Sequence, residues 1–118
     1  MASEDMKIQK ETIAQGSIVM LILNGAINVN TFDKLETEIQ QLFMAGSYKL
    51  ILDVSGIRYV SSAGAGVLMN AFLQAQENNG KMVLIRVSNS VKDVLELLNL
   101  QNVIPIADDL KSALPMFG

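Results

Sequence analysis

The chain has 118 residues, half of them apolar, with 12 acidic and 9 basic side chains and a net charge of −3. It contains no Cys, no His and no Trp. Those absences exclude a disulfide framework, thiolate or imidazole metal sites, Cys or Ser-His nucleophiles and histidine acid–base chemistry, leaving hydroxyl, carboxylate, amine and backbone groups.

The length suits one domain spanning 1–118, with no internal repeat and no Pro/Gly/Ser linker to divide it. Scattered Lys and Arg argue against a nucleic-acid surface, which needs clustered positive charge. The opening Met-Ala-Ser-Glu-Asp is acidic where a secretory signal is basic and then apolar. The longest apolar run, Ile18 to Leu23, falls far short of the roughly 20 residues that cross a bilayer. A cytoplasmic protein without membrane insertion is the expectation.

Taken in order, Met6 to Ile13 and Ser17 to Leu23 read as strands joined at Ala14-Gln15-Gly16, a hairpin turn in which Gly supplies positive φ. The first alternates like an edge strand; the second is apolar on both faces and so central. From Thr31 the period becomes helical: Phe32, Leu35, Ile39, Leu42 and Phe43 share a face, with Asn30 as the expected N-cap and Gly46 as the stop. Tyr48 to Val54 reads as a buried strand, Ser62 to Asn78 as a helix, and Met82 to Val87 as a further strand. Ser90-Val91-Lys92-Asp93 resembles a capping box opening a helix with Val91, Val94, Leu95 and Leu98 on one face. A short strand at Val103 to Ile106 and a helix after Asp108 complete the order β-β-α-β-α-β-α-β-α. The fold class is therefore α/β, a mixed but mostly parallel sheet of about five strands with about four helices and an antiparallel first strand at one edge.

In such sheets functional loops gather where strands end and helices begin. Asp53 to Gly66 is the junction that stands out, because its helix opens with two Ser and two Gly although each Gly costs roughly 1 kcal/mol against Ala. On a helical wheel, Gly64, Val67, Leu68, Ala71, Phe72 and Ala75 face the sheet. Ser62, Gly66, Met69 and Leu73 form a stripe almost opposite, suited to a partner helix. Cover from within the domain is the other reading of that stripe. Ser62 likewise has two readings, an ordinary N-cap or a phosphoacceptor. A phosphate there would meet free N–H groups and the positive end of the helix dipole, adding about −1.5 to −2 charges beside the stripe.

Other motifs carry less. Gly64-x-Gly66 lacks the third glycine of a dinucleotide fingerprint and any Lys-Ser/Thr, so nucleotide hydrolysis has neither a base nor a phosphate-gripping Lys. Asp108-Asp109 reads as the charged start of the last helix rather than as a metal pair. No catalytic residue, metal site or cofactor is expected.

The stretch from Leu50 to Leu68, a hydrophobic strand followed by Asp53, Ser55 and Ser61-Ser62-Ala63-Gly64-Ala65-Gly66, resembles the STAS domain of bacterial anti-sigma factor antagonists. Similarity extends over nearly the whole chain, including Leu23-Asn24-Gly25-Ala26-Ile27-Asn28 and Asn89-Ser90-Val91. Three positions depart from the family pattern: Ser61 stands where Asp is usual, Asn28 where an acidic residue is common, and Ala65 where Leu is usual. The resemblance implies a protein that binds an anti-sigma factor with serine kinase activity and frees the sigma factor. Phosphorylation at Ser62 then releases the partner, and a serine phosphatase resets the cycle. It implies a binding surface of Asn28, Ser61, Ala65, Gly66, Met69 and Leu73, and no enzymatic activity. The alternative is a non-phosphorylated STAS subunit of a lipid-transport ATPase complex or signalling scaffold. Self-association is left open by the sequence.

Overall fold

The computed structural model describes residues 6–117. Five strands form one sheet in the spatial order β1-β2-β3-β4-β5. They are β1 (Lys7–Ile13), β2 (Ile18–Ile27), β3 (Lys49–Val60), β4 (Lys81–Ile85) and β5 (Ile106–Ala107). β1 pairs antiparallel with β2, and every other neighbouring pair is parallel. The helices are α1 (Phe32–Met44), α2 (Ser62–Glu77), α3 (Asn89–Leu97) and α4 (Leu110–Ala113). This is the expected α/β class and element order.

Alternation along β2 shows how the sheet is covered. Val19, Leu21 and Leu23 join the larger core, packed with Leu35, Ile39 and Leu42 of α1, Val67, Leu68 and Phe72 of α2, and Val91 and Leu95 of α3. Ile18 and Met20 point the other way, into a smaller core with Ile51, Val83, Ile85 and Ala113, flanked by Leu110, Met116 and Phe117. Three crossovers stepping the same way across the sheet therefore place α1, α2 and α3 on one face. Among the described residues, α4 and the 3-10 turn Leu114–Phe117 cover the other. Both faces of β2 are buried, which accounts for its near-continuous apolar run.

The hairpin turn falls at Ala14–Gly16, with positive φ at all three residues. Gly46, with φ +87, ends α1 as expected, while Ser47 N–H closes the turn onto Leu42 O at 2.9 Å.

Several boundaries differ from the sequence expectation. β3 continues to Val60 rather than stopping at Val54, because Ile57 and Val60 supply further buried side chains. Two register shifts against β2, between Ile22 and Asn24 and between Gly25 and Ala26, each take up one extra residue of β3 along the way. The cap of α1 is Thr31 rather than Asn30, and its hydroxyl makes no cap bond. The cap of α3 is Ser88 rather than Ser90, and its hydroxyl accepts from Val91 N–H at 3.3 Å. The last strand is two residues, Ile106–Ala107, instead of Val103–Ile106, since 101–103 form a turn. Asp109 caps α4 through Ser112 N–H at 2.9 Å, and that hydrogen bond holds its carboxyl below the usual carboxylate range.

Candidate functional site

The site is built where β2, β3 and α2 meet. Beyond Val54, β3 runs beside the last residues of β2, with Asn24 opposite Gly56 and Ile27 opposite Val60. Gly56 is required there, because a Cβ would strike the Asn24 side chain and lie 2.9 Å from Leu23 O. The chain then turns at Ser61, whose N–H donates to Ile27 O at 2.8 Å.

Ser61 is extended and caps α2: its Oγ accepts from Gly64 N–H at 3.0 Å and its carbonyl from Ala65 N–H at 2.8 Å. This corrects the reading that offered Ser62 as a cap. It also explains a departure from the family pattern, since Ser and Asp are comparable N-cap residues and either satisfies the same amide. Replacing Ser61 by alanine should cost about 1 kcal/mol in urea unfolding, whereas Ser61→Asp should leave stability nearly unchanged.

Gly64 seats the helix. A Cβ on it would lie 2.6 Å from both the carbonyl oxygen and the Cγ2 of Ile27, so α2 reaches the end of β2 only because this position has no side chain.

Ser62 is the first residue of α2 and is exposed, and no hydrogen bond occupies its hydroxyl among the described residues. Along the same face Gly66 is exposed, Met69 is half-buried against the core, and Leu73 is 41% exposed. The stripe expected from the wheel therefore exists, with Met69 shared between core and surface. Ala65 does not belong to it. It is 1% exposed and packs in the larger core, so its contribution to any surface is to hold the helix beneath.

The loop between β2 and α1 borders this end. Asn28 follows Ile27, the residue that accepts from Ser61, and so Asn28 and Ser61 are brought together by one backbone hydrogen bond. Asn28 is half-buried; its side-chain oxygen accepts from Asn30 N–H at 2.9 Å, and Thr31 Oγ1 accepts from Asn28 N–H at 2.9 Å. Thr31 also donates to Ala26 O at 2.6 Å and is the buried polar residue among those described. A buried hydroxyl with both roles filled fixes a loop that apolar contacts alone would leave loose. In the sequence Thr31 carries only a weak signal, a hydroxyl one residue before an apolar helical face. Val29 and Tyr59, 69% and 54% exposed on the β2–α1 loop and near the end of β3, have no sequence pattern that marks them as part of this surface.

Electrostatics around the site are modest. Asp53 is engaged on both oxygens: Oδ1 accepts from Ser55 N–H at 3.0 Å and Oδ2 pairs with Arg86 Nε at 3.6 Å. Its role in the junction is to fix the strand rather than to supply a free carboxylate. Among the described residues no three His, Cys, Asp or Glu side chains are grouped to hold a metal ion, and no helix is long and apolar enough to cross a membrane.

The STAS domain model matches residues 9–113, which takes in the whole sheet except the first two residues of β1, together with α1 to α4. The chain belongs to the STAS-domain family. Among relatives of this STAS domain is BtrV of Bordetella bronchiseptica, a candidate anti-sigma factor antagonist, 26% identical over 112 residues that cover 95% of each protein. Among solved structures, TM1081 of Thermotoga maritima, also a candidate anti-sigma factor antagonist, superposes with a TM-score of 0.87 at 21% identity, covering 93% of each chain. The phosphorylated form of the Bacillus protein SpoIIAA superposes with a TM-score of 0.71 at 16% identity, over 93% of this STAS domain and 98% of that chain. At these identities the structural likeness establishes the fold.

Proposed function

We propose that this chain is a cytoplasmic anti-sigma factor antagonist that acts by reversible binding and is switched by phosphorylation of Ser62. Unmodified, it holds an anti-sigma factor that is also a serine kinase, and the sigma factor is freed. Phosphate on Ser62 releases the partner, and a serine phosphatase restores the binding form. The chain is substrate and switch, with no catalysis of its own.

The observation that carries this reading is the division of labour between the two serines. Ser61 holds the helix cap, so the Ser62 hydroxyl is exposed and uncommitted at the first position of α2. A phosphate there meets the positive end of the helix dipole and is tolerated by the fold. It also places its charge at the head of the stripe that runs on through Gly66, Met69 and Leu73, where docking of an apolar partner surface would have to desolvate it. The phosphorylated SpoIIAA neighbour fits the same picture.

Incubation with the anti-sigma kinase of the same host and ATP, followed by mass spectrometry, tests the acceptor. One phosphate on Ser62, absent from Ser62→Ala, is expected. Phosphate on Ser61 or on neither serine contradicts the proposal.

A further inference from the structure

β1 forms one edge of the sheet, and its outer side has no strand partner among the described residues. Its seven residues span roughly 24 Å at about 3.4 Å each, enough backbone to pair with another strand. Exposed Lys7, Gln9 and Glu11 share one face and Ile8 and Lys10 the other, as the alternation of their partners on β2 requires. Lys7 and Glu11 have no ion-pair partner among the described residues. Lying four residues apart along one strand, they are about 14 Å from each other and cannot pair within the chain.

Two copies of β1 related by a two-fold axis supply the missing partners. Continuous antiparallel pairing keeps each face of the sheet together, so the axis must pass at a residue rather than between residues. An axis at Gln9 sets Lys7 of each copy opposite Glu11 of the other, with the two Gln9 side chains adjacent. It also lays the stem of each Lys10 over the half-buried Ile8 of its mate. Moving the axis to Lys10 or to Glu11 sets like charges face to face, which cross-strand pairing disfavours. We infer that β1 is a homodimerisation edge whose register is set by two reciprocal Lys7–Glu11 pairs about Gln9. A two-fold axis normal to the sheet points the Ser62 ends of the two copies in opposite directions, so the edge and the α2 stripe are used independently.

Sedimentation of the full chain across a wide concentration range tests this. A monomer–dimer equilibrium that weakens with added salt is expected. Lys7→Glu and Glu11→Lys should each weaken self-association about tenfold or more, because each puts like charges at both symmetric positions. An equimolar mixture of the two variants should recover dimerisation, since every Glu then again faces a Lys, while the thermal midpoint of each monomer is little changed. A wild-type chain that stays monomeric up to millimolar concentration, or single variants that dimerise as well as wild type, would overturn the inference. So would a mixture that recovers nothing.

Discussion

Replacing Gly64 by alanine is expected to lower the unfolding free energy by about 2 kcal/mol, although alanine is the better helix former by roughly 1 kcal/mol. The added methyl would lie 2.6 Å from Ile27 O and 3.1 Å from Ile27 C, which are backbone atoms that cannot swing aside. Relief requires α2 to move off β2, stretching the Ser61 N–H to Ile27 O bond that anchors the helix start. Overpacking of this kind costs about 1–3 kcal/mol and a weakened hydrogen bond about 0.5–1.5 kcal/mol more, so the steric side outweighs propensity. Gly66→Ala is the contrast two residues on: its Cβ would meet nothing within 4 Å, so stability should rise by up to about 1 kcal/mol. Urea unfolding of both variants checks the pair. Equal shifts in the same direction would mean that Gly64 is not seated against β2.

The second large effect falls on binding. Ser62→Asp should weaken the complex with the anti-sigma partner by on the order of tenfold or more while leaving the thermal midpoint within a degree or two of wild type. The new carboxylate sits in the first turn of α2, where the dipole favours it by about 0.3–1 kcal/mol. The same charge stands at the head of the stripe that continues to Met69 and Leu73, the surface proposed for an apolar partner. Calorimetric titration together with thermal melting separates the two consequences. A large loss of stability would contradict the helix-start argument, and unchanged affinity would contradict the stripe as the binding surface.

Much of this architecture is written in patterns that report burial. The continuous apolar run of β2 and the helical period from Phe32 to Phe43 each point to one element with known faces; α1 is where expected, and β2 begins where expected but runs on past Leu23 to Ile27. What stayed hidden depends on contacts between distant segments. The end of β3 reads as a loop because Ser55, Gly56 and Arg58 interrupt it, yet Asn24 and Ile27 of β2 hold it as a strand through shifted pairing. Ser61 and Ser62 are adjacent hydroxyls with equal claim to the cap. The Ser61 N–H bond to Ile27 O decides between them, and no local pattern encodes it. Ala65 reads as a surface residue from its position in the family motif, whereas it lies three and seven residues before Leu68 and Phe72 and shares their buried face.

The central claim is that phosphate on Ser62 controls partner binding without unfolding the domain. Its most direct test is the affinity of the anti-sigma partner for two forms of this chain, unmodified and phosphorylated at residue 62, each shown by circular dichroism to be equally folded. Tight binding of the unmodified form and a loss of about tenfold or more on phosphorylation are expected. Equal affinity of the two folded forms would contradict the account.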